Sequence, residues 1–406
     1  MKRIKIAWIR TDSIGDTVLS MGMVRPVVED LKKQFDGDIQ LTVVCQEHIV
    51  PLYQVLPEVD EIIGFNRTEL FNSEEYRREI KNVLTQYAFD QLIISLYSPD
   101  ENTIFFTEHV YAKKKIGLDC DLSNITPEIK LKYLGLLTKV IPTSGHPKCE
   151  LDRAQDLLDG LNVSEKHPGA FIEIPNEIRS WAKNFIDKKK SQKEKLVILC
   201  AGAQYDNRFY YNYGKAIEKL AQNETIILGA IGGAKDYEIN QRNLMQVKSA
   251  KTVYNWSGDF GLLQSSAIIE QSCLVVCSES APMHIACALN TPNVVLLGGG
   301  HFGRFAPYHS STIAVSSFRP CYNCNWLCQY NNFPCVQQIP PDALSDAINI
   351  IWKQTQSKHP RILSAEQKQS SIKRLKRLVH RKCVFIEKEA TDLSRDTFCN
   401  GSRFFD

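Results

Sequence analysis

Ile4-Lys5-Ile6-Ala7-Trp8-Ile9, then Arg10-Thr11-Asp12-Ser13-Ile14-Gly15-Asp16, then an apolar-periodic run from about Thr17 to Phe35 is the stretch that decides the fold. A short β-branched strand, a polar loop with glycine and a helix form the first unit of an alternating β-α chain. The same alternation continues outward. Strands are predicted at Ile39–Cys45, Glu61–Phe65 and Gln91–Ser95, a charged helix at about Ser73–Gln86, and a short basic strand at Lys115–Gly117. Such alternation implies a parallel, doubly wound sheet.

A second series follows the lysine-rich segment Lys188–Lys195, which reads as a hinge. Strands are predicted at Leu196–Cys200, Thr225–Ala230, Cys273–Cys277 and Asn293–Leu297. Helices are predicted at Tyr210–Ala221, Asp236–Leu244, Leu262–Glu270 and Ala281–Leu289. The expected architecture is α/β, two Rossmann-like domains facing a cleft. Residues 1–170 form the first domain, 171–355 the second, and 356–406 a basic tail. In open α/β sheets ligands bind beyond the carboxyl ends of the strands, so the loops after these strands should carry the chemistry.

The chain's 406 residues exceed one typical core. Hydrophobic residues make up 43% and charged residues 23%, a globular composition, and the net charge of +3 does not indicate a nucleic-acid partner. No stretch reaches the ~20 apolar residues of a membrane span. Arg10, Asp12 and Asp16 interrupt the N-terminal apolar run, which argues against a signal peptide. Thirteen cysteines, several of them inside apolar patterns (Cys200, Cys273, Cys277, Cys287), indicate a reducing compartment, so the expected location is cytoplasmic.

Four motifs carry candidate chemistry. Asp16 opens the first helix after a turn made by Gly15, and either caps that helix or serves as a general base. Ala201-Gly202-Ala203, with Asn207 and Arg208 following, exposes backbone N–H groups beside a fixed cation and suits a diphosphate. Glu279-Ser280-Ala281-Pro282-Met283-His284 joins a buried strand to a helix. Ser280 reads as the N-cap and Pro282 as a first-turn residue. His284 is either a phosphate contact or a packed first-turn residue. Cys321, Cys324, Cys328 and Cys335 lie within fifteen residues. They suit a closed, structural zinc or iron site, two local disulfides, or four free thiols.

In order and spacing these motifs resemble glycosyltransferase family 9, the ADP-heptose transferases of lipopolysaccharide synthesis, over about residues 3–355. The family's opening strand, Gly-Asp pair and Leu-rich helix match Ile4–Leu19. Its Pro-Gly-Ala segment matches Ala201–Ala203. Its Asp-Ser/Thr-Gly-Pro-Met-His signature matches Glu279–His284, and Thr291-Pro292 and Pro307-Tyr308 also fit. The cysteine cluster occurs in many family members, and a branch that modifies autotransporters uses cysteines for a metal finger. Three departures stand out: Glu279 replaces Asp, Ala281 replaces Gly, and Asn207 falls where a Lys is expected, with Arg208 beside it.

The resemblance implies a GT-B fold and an inverting transfer with Asp16 as base. The donor is a nucleotide-diphosphate sugar such as ADP-heptose, and the acceptor a glycan or lipid-linked core. A protein acceptor and a non-catalytic nucleotide-sugar binder are the alternatives. Asp236 or Glu238 would bind the ribose, and the backbone near Asp259 and Phe260 the base. The strands as read end without an Asp-x-Asp pair, so no catalytic metal or other cofactor is expected. The segment Lys368–Lys382 holds seven Lys or Arg and no acid, with Ile372, Leu375 and Val379 on one helical face. It either contacts an anionic membrane peripherally, at the inner face of the cytoplasmic membrane, or packs back on the protein.

Overall fold

The computed structural model describes residues 3–36, 38–143, 149–305, 309–317, 319–330 and 332–356, with the backbone of 384–387. Pro307-Tyr308 and the segment Lys368–Lys382 lie outside the described residues. The chain divides into two compact units, Met1–Glu173 and Ile174–Asp406.

The first unit is built on strands β1 (Ile4–Arg10), β2 (Ile39–Gln46), β3 (Glu61–Phe65), β4 (Phe89–Ile94), β5 (Ala112–Leu118) and β6 (Lys139–Ile141). They pair in the order β3-β2-β1-β4-β5-β6, all parallel. Central β1 sits between β2 and β4, with Trp8 opposite Val43 on one side and Ile93 on the other. Ile6, Ala7, Trp8 and Ile9 are fully buried, as expected of a strand covered on both faces by helices. The strand order reverses at β1, so the crevice where ligands bind in such sheets opens between the β1 and β4 loops.

Two details differ from the sequence reading. The helix expected over Thr17–Phe35 is two helices, Ile14–Met21 and Val24–Phe35. The Met23 N–H bonds back three residues to the Ser20 carbonyl at 3.0 Å, which ends the first helix in a tight turn. Gly15 makes no turn. It is the buried second residue of the first helix, and Thr11–Ser13 form the loop.

The second unit repeats the plan. Its strands are β7 (Lys195–Cys200), β8 (Ile226–Ala230), β9 (Thr252–Asn255), β10 (Leu274–Ser278), β11 (Asn293–Leu297), β12 (Thr312–Ser316) and β13 (Val384–Glu387). The order is β13-β12-β11-β10-β7-β8-β9, parallel except for the antiparallel edge pair β12/β13. Here the order reverses between β7 and β10, which places the loops after these two strands at the ligand-binding crevice.

The hinge expected at Lys188–Lys195 is not the boundary. Helix Asn176–Asp187 precedes it and belongs to the second unit. Its Arg179 Nε pairs with Glu270 of helix Leu262–Glu270 at 3.0 Å. Residues after Asp187 only turn the chain into β7. No helix among the described residues is long and apolar enough to cross a membrane.

Candidate functional site

In the first unit, Asp16 stands in the first turn of helix Ile14–Met21, where a carboxylate complements the helix dipole. Ser13 is the N-cap position and makes no side-chain bond to the helix backbone. Its hydroxyl donates instead to the Asp16 carboxylate. Asp16 is therefore oriented by a side chain and half-exposed, not spent on capping.

Arg10, at the end of β1 and 4% exposed, holds this loop from below. It pairs with Asp12 at 2.7 Å, donates to the Asp16 carbonyl at 3.0 Å and reaches the Ser95 carbonyl after β4. The Gln46 amide donates to the carbonyls of Thr11 and Asp12 at 2.8 and 2.9 Å. Burial raises the Asp12 carboxyl; Arg10 opposes the rise, and Asp16 and Glu150 add to it. The loop is thus fixed by β2 and β4, and Asp16 is presented at the point where the strand order reverses. The sequence reading quoted Arg10 and Asp12 within this motif without giving them a role and did not name Gln46; a charged residue closing an apolar strand was the available signal for Arg10.

In the second unit, Ala201-Gly202-Ala203 leaves β7 directly. The Ala201 N–H donates to the side chain of fully buried Asn240 at 3.0 Å, and Asn240 donates to Ser257 Oγ at 2.8 Å. Ser278 Oγ, at the end of β10, donates to the Gly202 carbonyl at 2.7 Å. The loop is thereby clamped between the segments following β8 and β10. Asp236 packs directly on Gly202: a Cβ there would stand 2.3 Å from the Asp236 carboxyl carbon, so a larger residue would have to displace that carboxyl. Asp236 accepts from the Gly233 N–H at 2.8 Å, and burial raises its carboxyl. Of the two ribose candidates, Asp236 is beside the loop; Glu238 is exposed on the helix Tyr237–Leu244. Asp259 is exposed. Phe260 joins an aromatic cluster, its ring 5.5 Å from Trp181 and 5.2 Å from Phe185.

Glu279 follows β10 and is 8% exposed, with no hydrogen-bond partner for either carboxyl oxygen. Burial pushes it up to about 8, and Arg208 opposes the shift. At neutral pH Glu279 is thus largely a carboxylic acid, able to donate one hydrogen bond. Ser280 does occupy the N-cap position of helix Ala281–Ala288, but its hydroxyl makes no cap bond; it meets Ser278 Oγ at 3.0 Å. Pro282 lies in the first turn, and Met283 and His284 are buried on the inner face. Arg208 lies in the short turn Asp206–Arg208, next to Asn207. The structure therefore brings together Gly202, Asp236, Ser278 and Ser280 by direct contact, with Arg208 electrostatically coupled to Glu279.

One Asp-x-Asp does follow a strand, contrary to the sequence reading: Asp119-Cys120-Asp121, after β5. The sequence reading took Lys115–Gly117 as the start of a strand, whereas β5 runs from Ala112 to Leu118 and Asp119 follows it at once. Asp119 pairs with Lys130 at 2.8 Å, and Asp121 accepts from the backbone and hydroxyl of Ser123 at 3.1 and 2.7 Å. Both carboxylates are engaged in local structure.

Cys321, Cys324, Cys328 and Cys335 are free thiols, each partly buried. Burial raises Cys335, and the other three thiols add to that rise. As they stand they form no ligand cage: among the described residues no three His, Cys, Asp or Glu side chains are grouped to hold a metal ion.

Residues 152–332 match the family model described as glycosyltransferase family 9 (heptosyltransferase). Over 311 residues, 73% of this chain and 83% of the relative, the sequence is 30% identical to lipopolysaccharide heptosyltransferase 2 of Salmonella typhimurium. The chain belongs to glycosyltransferase family 9. The fold of this family 9 enzyme agrees with solved structures. A family 9 glycosyltransferase from Veillonella parvula superposes with a TM-score of 0.71 at 18% identity, covering 86% of this chain and 98% of that one. ADP-heptose LPS heptosyltransferase II of E. coli superposes at 0.62 with 17% identity, covering 87% and 100%. The glycosyltransferase is accordingly GT-B-like, with a Rossmann-type strand order in each unit.

Proposed function

We propose that the protein is an inverting glycosyltransferase that moves a sugar, heptose from ADP-heptose, to a glycan or lipopolysaccharide-core acceptor. The observation that carries this reading is Asp16, presented at the strand-order reversal of the first sheet and oriented by Ser13 and Arg10. The names of the relatives support the donor and acceptor class.

In the proposed reaction Asp16 takes the proton of an acceptor hydroxyl as its oxygen attacks the anomeric carbon. The new C–O bond forms on the face opposite the departing phosphate. The bond from the anomeric carbon to the phosphate oxygen breaks, and its electron pair leaves with the nucleoside diphosphate. Arg208 and the N–H groups of Gly202 and Ala203 stabilise that developing charge, the Ala201 N–H being held by Asn240; one such donor is worth about 3 kcal/mol. Neutral Glu279 donates to an oxygen of the donor, where an ionised carboxylate would repel the diphosphate. Asp236 accepts from a ribose hydroxyl. No step needs a divalent metal. The four cysteines, which stand apart here, would have to close around a zinc or iron ion to form a structural site, and no step of this chemistry uses it. The basic segment Lys368–Lys382 brings the enzyme reversibly to an anionic membrane surface.

Incubation with a panel of nucleotide-diphosphate sugars and truncated core acceptors, reading nucleotide release, tests the reading. Acceptor-dependent release of ADP from ADP-heptose is the expected result. Tight nucleotide binding with no turnover on any pair would favour a non-catalytic binder, and turnover only on a protein acceptor would move the acceptor class.

A further inference from the structure

The cysteine loop carries more than its thiols. Between Cys324 and Cys328 it places Trp326, in a left-handed backbone conformation at φ 62°, over the run Gly298-Gly299-Gly300 that follows β11. The fit is close. A Cβ at Gly298 would stand 2.4 Å from the Trp326 ring, and one at Gly300 2.3 Å from it. The backbone reinforces the seat: the Asn323 N–H donates to the Gly299 carbonyl at 2.7 Å and the Asn325 N–H to that of Gly300 at 3.0 Å. The indole N–H donates to His301 Nδ1 at 3.3 Å, and His301 Nε2 meets Asn325 Oδ1 at 2.6 Å. The ring is therefore held on one face by glycine and at its edge by histidine.

The remaining face is used. The guanidinium carbon of Arg208 lies 4.1 Å from the centre of the Trp326 ring. Arg208 belongs to the short turn Asp206–Arg208, and the ring of Tyr205, just before that turn, is farther away, at 5.7 Å. A planar guanidinium stacked on an indole keeps its charge and its in-plane N–H donors while losing rotational freedom.

We propose that Trp326 is a positioning residue for the donor site: it holds the Arg208 guanidinium ready for the diphosphate, so that the cysteine loop is part of the binding machinery. This rests on Arg208 being the phosphate contact proposed above. A glycine run admits the indole, and the cysteine loop that carries it is tied to that run by the Asn323 and Asn325 N–H groups. No substrate atom need touch Trp326.

Calorimetric titration of the full-length protein with ADP tests the inference by a double-mutant cycle. Trp326→Leu keeps apolar bulk on the glycines but removes the ring face, and should weaken ADP binding about tenfold. Trp326→Phe keeps a smaller face, guards against misfolding of the Leu variant, and should lose about two- to threefold. Both losses should vanish in an Arg208→Ala background, which a purely structural tryptophan would not produce. If Arg208→Ala weakens ADP binding while the Trp326 variants do not, or if the losses add in full, the inference fails and the donor-site reading stands. If Arg208→Ala leaves ADP affinity unchanged, or wild-type protein does not bind ADP, the donor-site reading falls and takes this inference with it.

Discussion

Glu279→Gln should stabilise the nucleotide-free protein, and by an amount that grows with pH. The carboxyl is 8% exposed, has no partner at either oxygen and is pushed up to about 8 from an ordinary value of 4.5. A carboxyl whose pKa is raised by folding binds its proton in the native state after the unfolded chain has released it. Between pH 4.5 and about 8 the native state therefore holds more protons, and stability falls as pH rises. Each unit of that window costs about 1.4 kcal/mol. Gln is nearly isosteric and does not titrate. The two proteins should be almost equally stable below pH 4.5, the Gln variant should lead by roughly 3 kcal/mol at pH 7, and the gap should level off above about pH 8. Urea denaturation of both proteins at pH 5, 6, 7 and 8 reads the difference, in which every other titrating group cancels. A gap that stays flat across this range, or a wild type that gains on the variant as pH rises, would show that Glu279 is ionised and solvated in the native state, and the neutral donor assigned to it would go.

Asn240→Ala should destabilise the second unit by about 1–3 kcal/mol, because the Ala201 N–H loses its buried acceptor, and should also weaken ADP binding; urea denaturation and calorimetry check the two effects. Protein purified under reducing conditions should carry about one zinc or iron per chain by elemental analysis. A fully folded, metal-free sample would reject the site at Cys321, Cys324, Cys328 and Cys335, whose side chains stand apart from a closed cage here. Full-length protein should co-sediment with anionic vesicles at low salt and release at high salt, and a chain ending near Ser357 should not bind.

The central strands were legible because their apolar residues run unbroken, as in Trp8-Ile9 of β1 and Leu274–Cys277 of β10, and burial on both faces demands that pattern. The motif loops followed, since a strand that must end at the crevice marks the next few residues as candidates. Of the edge strands, Glu61–Phe65 was legible with its observed bounds, but two others were not. Lys139–Ile141 is three residues long, and Thr252–Asn255 is half-exposed, so neither leaves a periodic signal. The hinge was placed too far along the chain because lysines suggested a linker, whereas helix Asn176–Asp187 before them packs on helix Leu262–Glu270 of the second unit. The residues that shape the donor loop were invisible for another reason. Asn240 reads as an ordinary polar position on a helix, and only the folded chain shows that its partner is the Ala201 N–H, 39 residues earlier. Arg208 was found by its charge. Trp326, which stacks on it, lies 118 positions away in a segment whose cysteines drew the attention.

The central claim is that this family 9 enzyme works by base-assisted glycosyl transfer through Asp16. The measurement that tests it most directly is acceptor-dependent nucleotide release by Asp16→Asn beside wild type, with ADP affinity determined for both. The account predicts unchanged ADP affinity and turnover lower by at least ~100-fold. A variant that turns over within a few-fold of wild type would contradict it, and Asp16 would then be only a carboxylate placed against a helix dipole.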